Sequence, residues 1–147
     1  MNKYSNKGLS GLANLGNTCF INSCMQVLSH TYLFNDLLDD KNTYNKINKV
    51  IDSLILLEWN NLRKILWEKN CVVSPNKWLN TVHKVAQNKE ALLFTDYSQN
   101  DSHEFLLFII DCFHNSLKRE VNMNIKGTVK NKQDKLATSC YKMLKRL

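Results

Sequence analysis

GLSGLANLGNTCFINSCMQVL, residues 8–28, changes character at its midpoint. The first half is a loop that holds three of the chain's four glycines (Gly8, Gly11, Gly16), interleaved with the amides Asn14 and Asn17. In the second half Phe20, Ile21, Cys24, Met25 and Leu28 fall at offsets of one, three or four, the stripe of an amphipathic helix. Asn17 and Thr18 are both good N-cap residues, which puts Cys19 in the first helical turn. Backbone N–H groups there have no intrahelical partner, and the helix dipole adds partial positive charge. A thiolate is favoured at such a place, and the thiolate is the nucleophilic form of cysteine. An amide such as Asn14 can donate a hydrogen bond to the oxyanion formed when a thiolate attacks a carbonyl. The plainer alternative is that Cys19 is one more buried cysteine on a helix.

The same residues carry a resemblance. GLANLGNTCFINSCMQVL resembles the cysteine box of the ubiquitin-specific proteases, a large class of deubiquitinating thiol peptidases, over about twenty consecutive positions. In that family the cysteine matching Cys19 is the nucleophile. The asparagine matching Asn14 helps to form the oxyanion hole.

Working outward, the first helix runs from about Cys19 to His30, Phe34 to Leu38 continue the apolar pattern, and the polar DDKNTYN at 39–45 reads as a loop. Ile47, Val50, Ile51, Leu54, Ile55, Leu62, Ile65 and Leu66 make a long helical stripe that Asn60-Asn61 does not interrupt. Ser74-Pro75 is a start signal, an N-cap followed by proline at the first helical position, for a helix with Trp78, Leu79, Val82, Val85 and Ala86 on one face. Ser98 with Asp101 forms an S-x-x-D capping pattern ahead of Phe105, Leu106, Ile109, Cys112, Phe113 and Leu117. That helix, closed by Lys118 and Arg119, is expected to be the most buried of all. Alternation at Val121, Met123 and Ile125 suggests a strand within 121–131, and a last helix runs over 132–147.

SQNDSHEFLLFIIDCF resembles the second box of the same family, with Gln99, Asp101, His103, Glu104 and Phe105 in register and Asn100 in place of a second glutamine. The resemblance implies that Gln99, Asp101, His103 and Glu104 line the cleft for ubiquitin's arginine-containing C-terminal tail. A carboxylate at Asp101 suits that task, since acidic groups take arginine bidentately. Helix capping alone is the other reading of Asp101, a solvated first-turn acid that of Glu104, and hydrogen bonding at the helix start that of His103.

A cysteine hydrolase also needs a base, as a rule a histidine oriented by Asp or Asn. His30 lies eleven residues beyond Cys19, about 16 Å along a helix axis, too far to reach the thiol. His83 and His114 sit in or beside helical stripes, and His103 occupies a position where the family also uses glutamine. The family's histidine box, acid box and zinc-bearing fingers have no counterpart in these 147 residues.

Bulk properties fit this reading. The chain is 44% hydrophobic and 22% charged, near the norm for a globular domain. Its five cysteines (19, 24, 71, 112, 140) are odd in number and scattered, so a reduced, intracellular protein, cytoplasmic or nuclear, is expected rather than a disulfide framework. There is no C-x-x-C pair for zinc, and no cofactor is implied. No apolar run approaches the ~20 residues of a membrane span, and residues 1–8 lack a signal-peptide core. The net charge of +7 permits nucleic-acid binding, but the basic residues are thinly spread, no nucleic-acid module is present, and neither nucleic acid nor membrane is expected as a partner.

The expectations are therefore a mainly α fold, corresponding to the helical thumb half of a papain-like cysteine protease whose complete domain is α+β. Residues 1–147 would form a partial catalytic domain, with a cysteine box at 8–28, a second box at 97–106 and the histidine-box half absent. Its reaction would be thiol-dependent hydrolysis of the (iso)peptide bond after ubiquitin's C-terminal glycine, with little activity from this piece alone. A non-catalytic binder of the ubiquitin tail is the alternative, and an unrelated basic helical interaction domain is a third reading.

Overall fold

A computed structural model describes residues 3–119 and 127–144. Among them are seven α-helices and two short strands, so the fold is mainly α. β1 (Gly11–Leu12) leads into α1 (Cys19–Ser29), α2 (Tyr32–Asp39), α3 (Lys41–Tyr44) and α4 (Ser53–Glu68). β2 (Val72–Val73), α5 (Asn76–Asn88), a 3₁₀ turn (Leu92–Phe94), α6 (Ser102–Leu117) and α7 (Lys132–Leu144) follow. α4 packs against both α5 and α6, and α1 lies along α6.

The core is an aromatic relay. Trp59 of α4 meets Trp78 of α5 edge-on at 6.2 Å, and Trp78 meets Phe105 of α6 at 6.3 Å. Phe105 also receives Phe94 and Phe20 at 5.5 and 5.4 Å. All five rings are buried, and each such side chain withdrawn from water contributes on the order of 2 kcal/mol. Because Phe105 belongs to the second box and Phe20 follows Cys19, both motifs are fixed to one core.

Several boundaries differ from the sequence reading. The polar stretch after Asp39 contains a helical turn, α3, because Asp40 accepts from Thr43 N at 2.9 Å and nucleates it. The long stripe becomes helical only at Ser53, leaving Val50 and Ile51 largely exposed ahead of it. Asn60 is buried and turned to local use: its Oδ1 accepts from Arg63, whose guanidinium also pairs with Asp39. α5 starts one residue later than expected, at Asn76. Leu79 N donates to Pro75 O, and Ser74 Oγ accepts from Asn76 Nδ2.

α6 is not the most buried helix. Five of its sixteen residues are buried against eight of sixteen in α4, which is sandwiched between neighbours while α6 keeps Leu107 and Ile110 exposed. The strand expected near 121–131 falls mainly on 120–126, outside the described residues, and 127–131 carry no strand. No helix among the described residues is long and apolar enough to cross a membrane.

A polar cluster ties three helices together away from the aromatic core. Lys89 Nζ, just past α5, donates to Asp52 Oδ2 at 3.0 Å and Asp111 Oδ2 at 2.9 Å. Asn115 Nδ2 donates to the same two carboxylates. Cys112 is enclosed beside them, and burial pushes its thiol up to about 12.

Candidate active site

The loop that carries Cys19 is held from both sides. β1 pairs parallel with β2, with Gly11 N donating to Cys71 O and Ala13 N to Val73 O, both at 2.9 Å. From the other side α1 reaches back: Asn22 Nδ2 donates to Ala13 O at 3.2 Å, and Gln26 Nε2 to Ser10 O at 2.9 Å. Upstream, Gly8 passes so close to Trp67 that a Cβ there would lie 2.5 Å from the indole, at a φ of +77° that also favours glycine.

Between these anchors the chain turns sharply at Gly16 (φ +99°) and Asn17 (φ +52°). A Cβ at Gly16 would meet nothing within 4 Å, so glycine serves the backbone angle there and not space. Asn is among the few other residue types that enter the left-handed region readily. The carboxamide of Asn14 closes the turn. Its Oδ1 accepts from Gly16 N (3.1 Å), Thr18 N (3.2 Å) and Thr18 Oγ1 (3.0 Å). Two of these donors are backbone amides, which can only donate, so the atom facing them is the oxygen and Nδ2 faces away. Asn14 is exposed.

Thr18 is the N-cap residue of α1 but supplies no side-chain cap. Its hydroxyl is turned back to Asn14 and accepts from Leu15 N at 3.0 Å. Cys19 is the first residue of the helix, exposed, with its thiol free. Further along α1, burial, reinforced by the charge of Asp101, raises the Cys24 thiol.

The second box lies beside this loop. Phe20 packs on Phe105 and Cys24 Sγ donates to Ser102 O at 3.3 Å, while Leu28 and Phe113 line one groove further along. α1 and α6 therefore present their first turns on the same side. Asn17 Nδ2 joins the two loops by donating to Tyr97 O at 3.2 Å. Asp101 itself caps α6, its Oδ1 accepting from His103 N (2.6 Å) and Glu104 N (3.3 Å). Ser98 plays no part in that cap; its N–H goes to Asp96 Oδ1. Asn100, the departure from the family pattern, donates to Leu93 O at 2.6 Å and Ser98 O at 3.0 Å, pinning the loop to the 3₁₀ turn. Gln99, Asp101, His103 and Glu104 are all exposed.

His103 stands exposed in the first turn of α6, on the side of the Cys19 loop, and the other three histidines are spread over the fold. His30 Nδ1 bonds to Gln26 O at the far end of α1, with its ring against Trp67. His83 packs edge-on against Tyr97 at 5.1 Å, where burial lowers its pKa against the pull of Asp96. His114 lies in the last turn of α6. Among the described residues no group of three or more His, Cys, Asp or Glu is placed to hold a metal.

The sequence profile described as ubiquitin carboxyl-terminal hydrolase matches residues 10–145, nearly the whole chain. This chain belongs to that family. Its similarity to individual hydrolases is spread along its length. It is 31% identical over 150 residues to ubiquitin carboxyl-terminal hydrolase 10 of Arabidopsis thaliana, covering 96% of this chain and 16% of the plant protein. It is 34% identical over 129 residues to ubiquitin carboxyl-terminal hydrolase 2 of Homo sapiens, covering 81% of this chain and 20% of the human one. With ubiquitin carboxyl-terminal hydrolase Usp2 of Drosophila melanogaster it shares 35% over 132 residues, 89% of this chain and 13% of that protein. The chain spans about a fifth or less of the length of these relatives.

Two residues that hold the loop, Asn22 and Gln26, have no role in the sequence reading, and a third, Thr18, is read there only as a helix cap. A signal was there. They recur every fourth residue along α1, a polar row beside the apolar stripe, and such a row on a packed helix has to find backbone partners.

Proposed function

We propose that this chain is the nucleophile-bearing part of a thiol-dependent deubiquitinase. What supports the reading is family membership together with one observation: an exposed first-turn cysteine stands five residues after an exposed amide whose oxygen is fully engaged and whose NH₂ group is outward. In the proposed reaction Cys19 Sγ attacks the carbonyl carbon of ubiquitin's C-terminal glycine. The π pair moves to oxygen, where Asn14 Nδ2–H donates to it. Collapse expels the lysine amine, which takes the proton that the thiol gave up to the general base, and leaves a thioester. Water then hydrolyses the thioester and releases ubiquitin's carboxylate and the thiol. Gln99, Asp101, His103 and Glu104 would receive the tail, with Asp101 offering its second oxygen to an arginine.

In this proposal the general base comes from outside these 147 residues: His30 lies at the far end of α1, His83 packs on Tyr97, His114 is in the last turn of α6, and His103 holds a position where the resemblance also allows glutamine. A positioned base contributes roughly 10²–10⁴-fold. The 147-residue chain should therefore bind ubiquitin but cleave a ubiquitin C-terminal fluorogenic amide far below ordinary enzyme turnover. A kcat of ordinary size, about 1 s⁻¹ or more, would overturn the external base. Absence of ubiquitin binding in titration calorimetry would overturn the substrate assignment. Binding with no thiol chemistry even when a base is supplied in trans by the remainder of a relative's catalytic domain would favour the tail-binding reading.

A further inference from the structure

We propose that Thr18 is a positioning residue, whose buried hydroxyl sets the orientation of Asn14's carboxamide and so aims its NH₂ group. The inference rests on the reading of Cys19 as nucleophile and Asn14 as oxyanion donor. Thr18 is 3% exposed, so water does not compete for its hydroxyl. Leu15 N–H donates to Thr18 Oγ1, which leaves the hydroxyl hydrogen to point at Asn14 Oδ1. Of the three donors on that oxygen, the Gly16 and Thr18 amides are fixed by the backbone turn, and the hydroxyl is the one donor a side chain supplies. With its oxygen thus occupied, the amide is held with its plane set and Nδ2 outward. No partner among the described residues takes up Nδ2. A donor held in advance costs no reorganisation as negative charge develops, and that is what an oxyanion site requires. The N-cap threonine thus acts on the neighbouring amide instead of on its own helix.

Two ubiquitin probes separate this role from a merely structural one. With ubiquitin ending in an aldehyde, Sγ adds to the carbonyl carbon, the π pair moves to oxygen, and that oxygen takes the proton given up by the thiol. The hemithioacetal oxygen occupies the oxyanion position. With ubiquitin ending in a bromoethyl group, Sγ displaces bromide, the thiol proton goes to buffer, and no oxyanion forms. In the 147-residue chain, Asn14→Ala should weaken aldehyde binding up to about tenfold, the worth of one hydrogen bond to a neutral oxygen, and Thr18→Val should lose a part of that, about threefold. Its alkylation rate with the bromoethyl probe should stay at the parent value, and Thr18→Ser should restore aldehyde binding. Should Thr18→Val melt below assay temperature, Thr18→Ala, which opens Leu15 N–H to water, serves in its place. Parallel loss with both probes, or no change with either, would overturn the positioning role. If the parent chain captures neither probe at Cys19, the reading on which the role rests falls with it.

Discussion

Asn14 and Asn17 are the same residue type three positions apart, and the turn between them gives them opposite tasks. Asn14 spends its oxygen on the turn and keeps its NH₂ group outward, whereas Asn17 spends its NH₂ group on Tyr97 O and contributes its tolerance of positive φ. Their presence was legible in the sequence, as was Cys19 at the helix start. Their division of labour was not, because it depends on which way the chain turns at Gly16, and residue type does not encode that direction. The same holds for Thr18, read from preference as a cap and found serving the loop. At this scale the cysteines give a direct check. A small alkylating reagent at pH 8 should label the exposed Cys19 and Cys140 in the native chain. It should spare Cys24, raised by burial and by Asp101, and Cys112, held near 12 by burial, since only the thiolate reacts. Peptide mass spectrometry reads the pattern, and ready native labelling of Cys112 would contradict the packing around Lys89.

At the scale of elements, one side chain of α6 carries a helix cap and lies in the proposed tail site. Asp101 caps the helix with Oδ1, and the proposed tail site uses the rest of the carboxylate. Two substitutions divide the tasks. Asp101→Ala should lose about 1 kcal/mol of stability with the cap, whereas Asp101→Asn keeps a capping oxygen and should stay within a few tenths of the parent. If Asp101 also receives the ubiquitin tail, Asp101→Asn should still weaken ubiquitin binding several-fold, measured by calorimetry beside a denaturant melt. Parent-like binding by a stable Asp101→Asn chain would reduce Asp101 to its cap.

Most of the helices were legible from apolar period, including α4 across Asn60-Asn61 and α6 after the second box. Their ends were less so. α3 arises from a single side-chain cap at Asp40, and α5 begins after Pro75 through the local pairing of Ser74 with Asn76. The relative burial of α4 and α6 was misjudged because periodicity reports that a face is apolar, not how many neighbours cover a helix.

Across the whole molecule, the core brings together two motifs separated by some eighty residues. Phe20 and Phe105 meet edge-on, each next to the residues of its own box, and the Asn17–Tyr97 bond spans the surface above them. Sequence order gave no hint of that pairing; the resemblance did. The two-stranded parallel sheet that restrains the loop was not foreseen either. Two residues per strand leave no alternation to read, and their pairing joins positions about sixty residues apart. In the proposed function this frame presents Cys19, and no other thiol, to ubiquitin's C-terminus. Cys140 is an equally free and exposed thiol on α7, and so provides an internal control. The direct measurement is to react the chain with bromoethyl-ended ubiquitin and map the adduct by peptide mass spectrometry. A single linkage at Cys19 is expected, abolished by Cys19→Ala and slowed by excess free ubiquitin; equal linkage at Cys140, or none at either, would overturn the proposed role of Cys19.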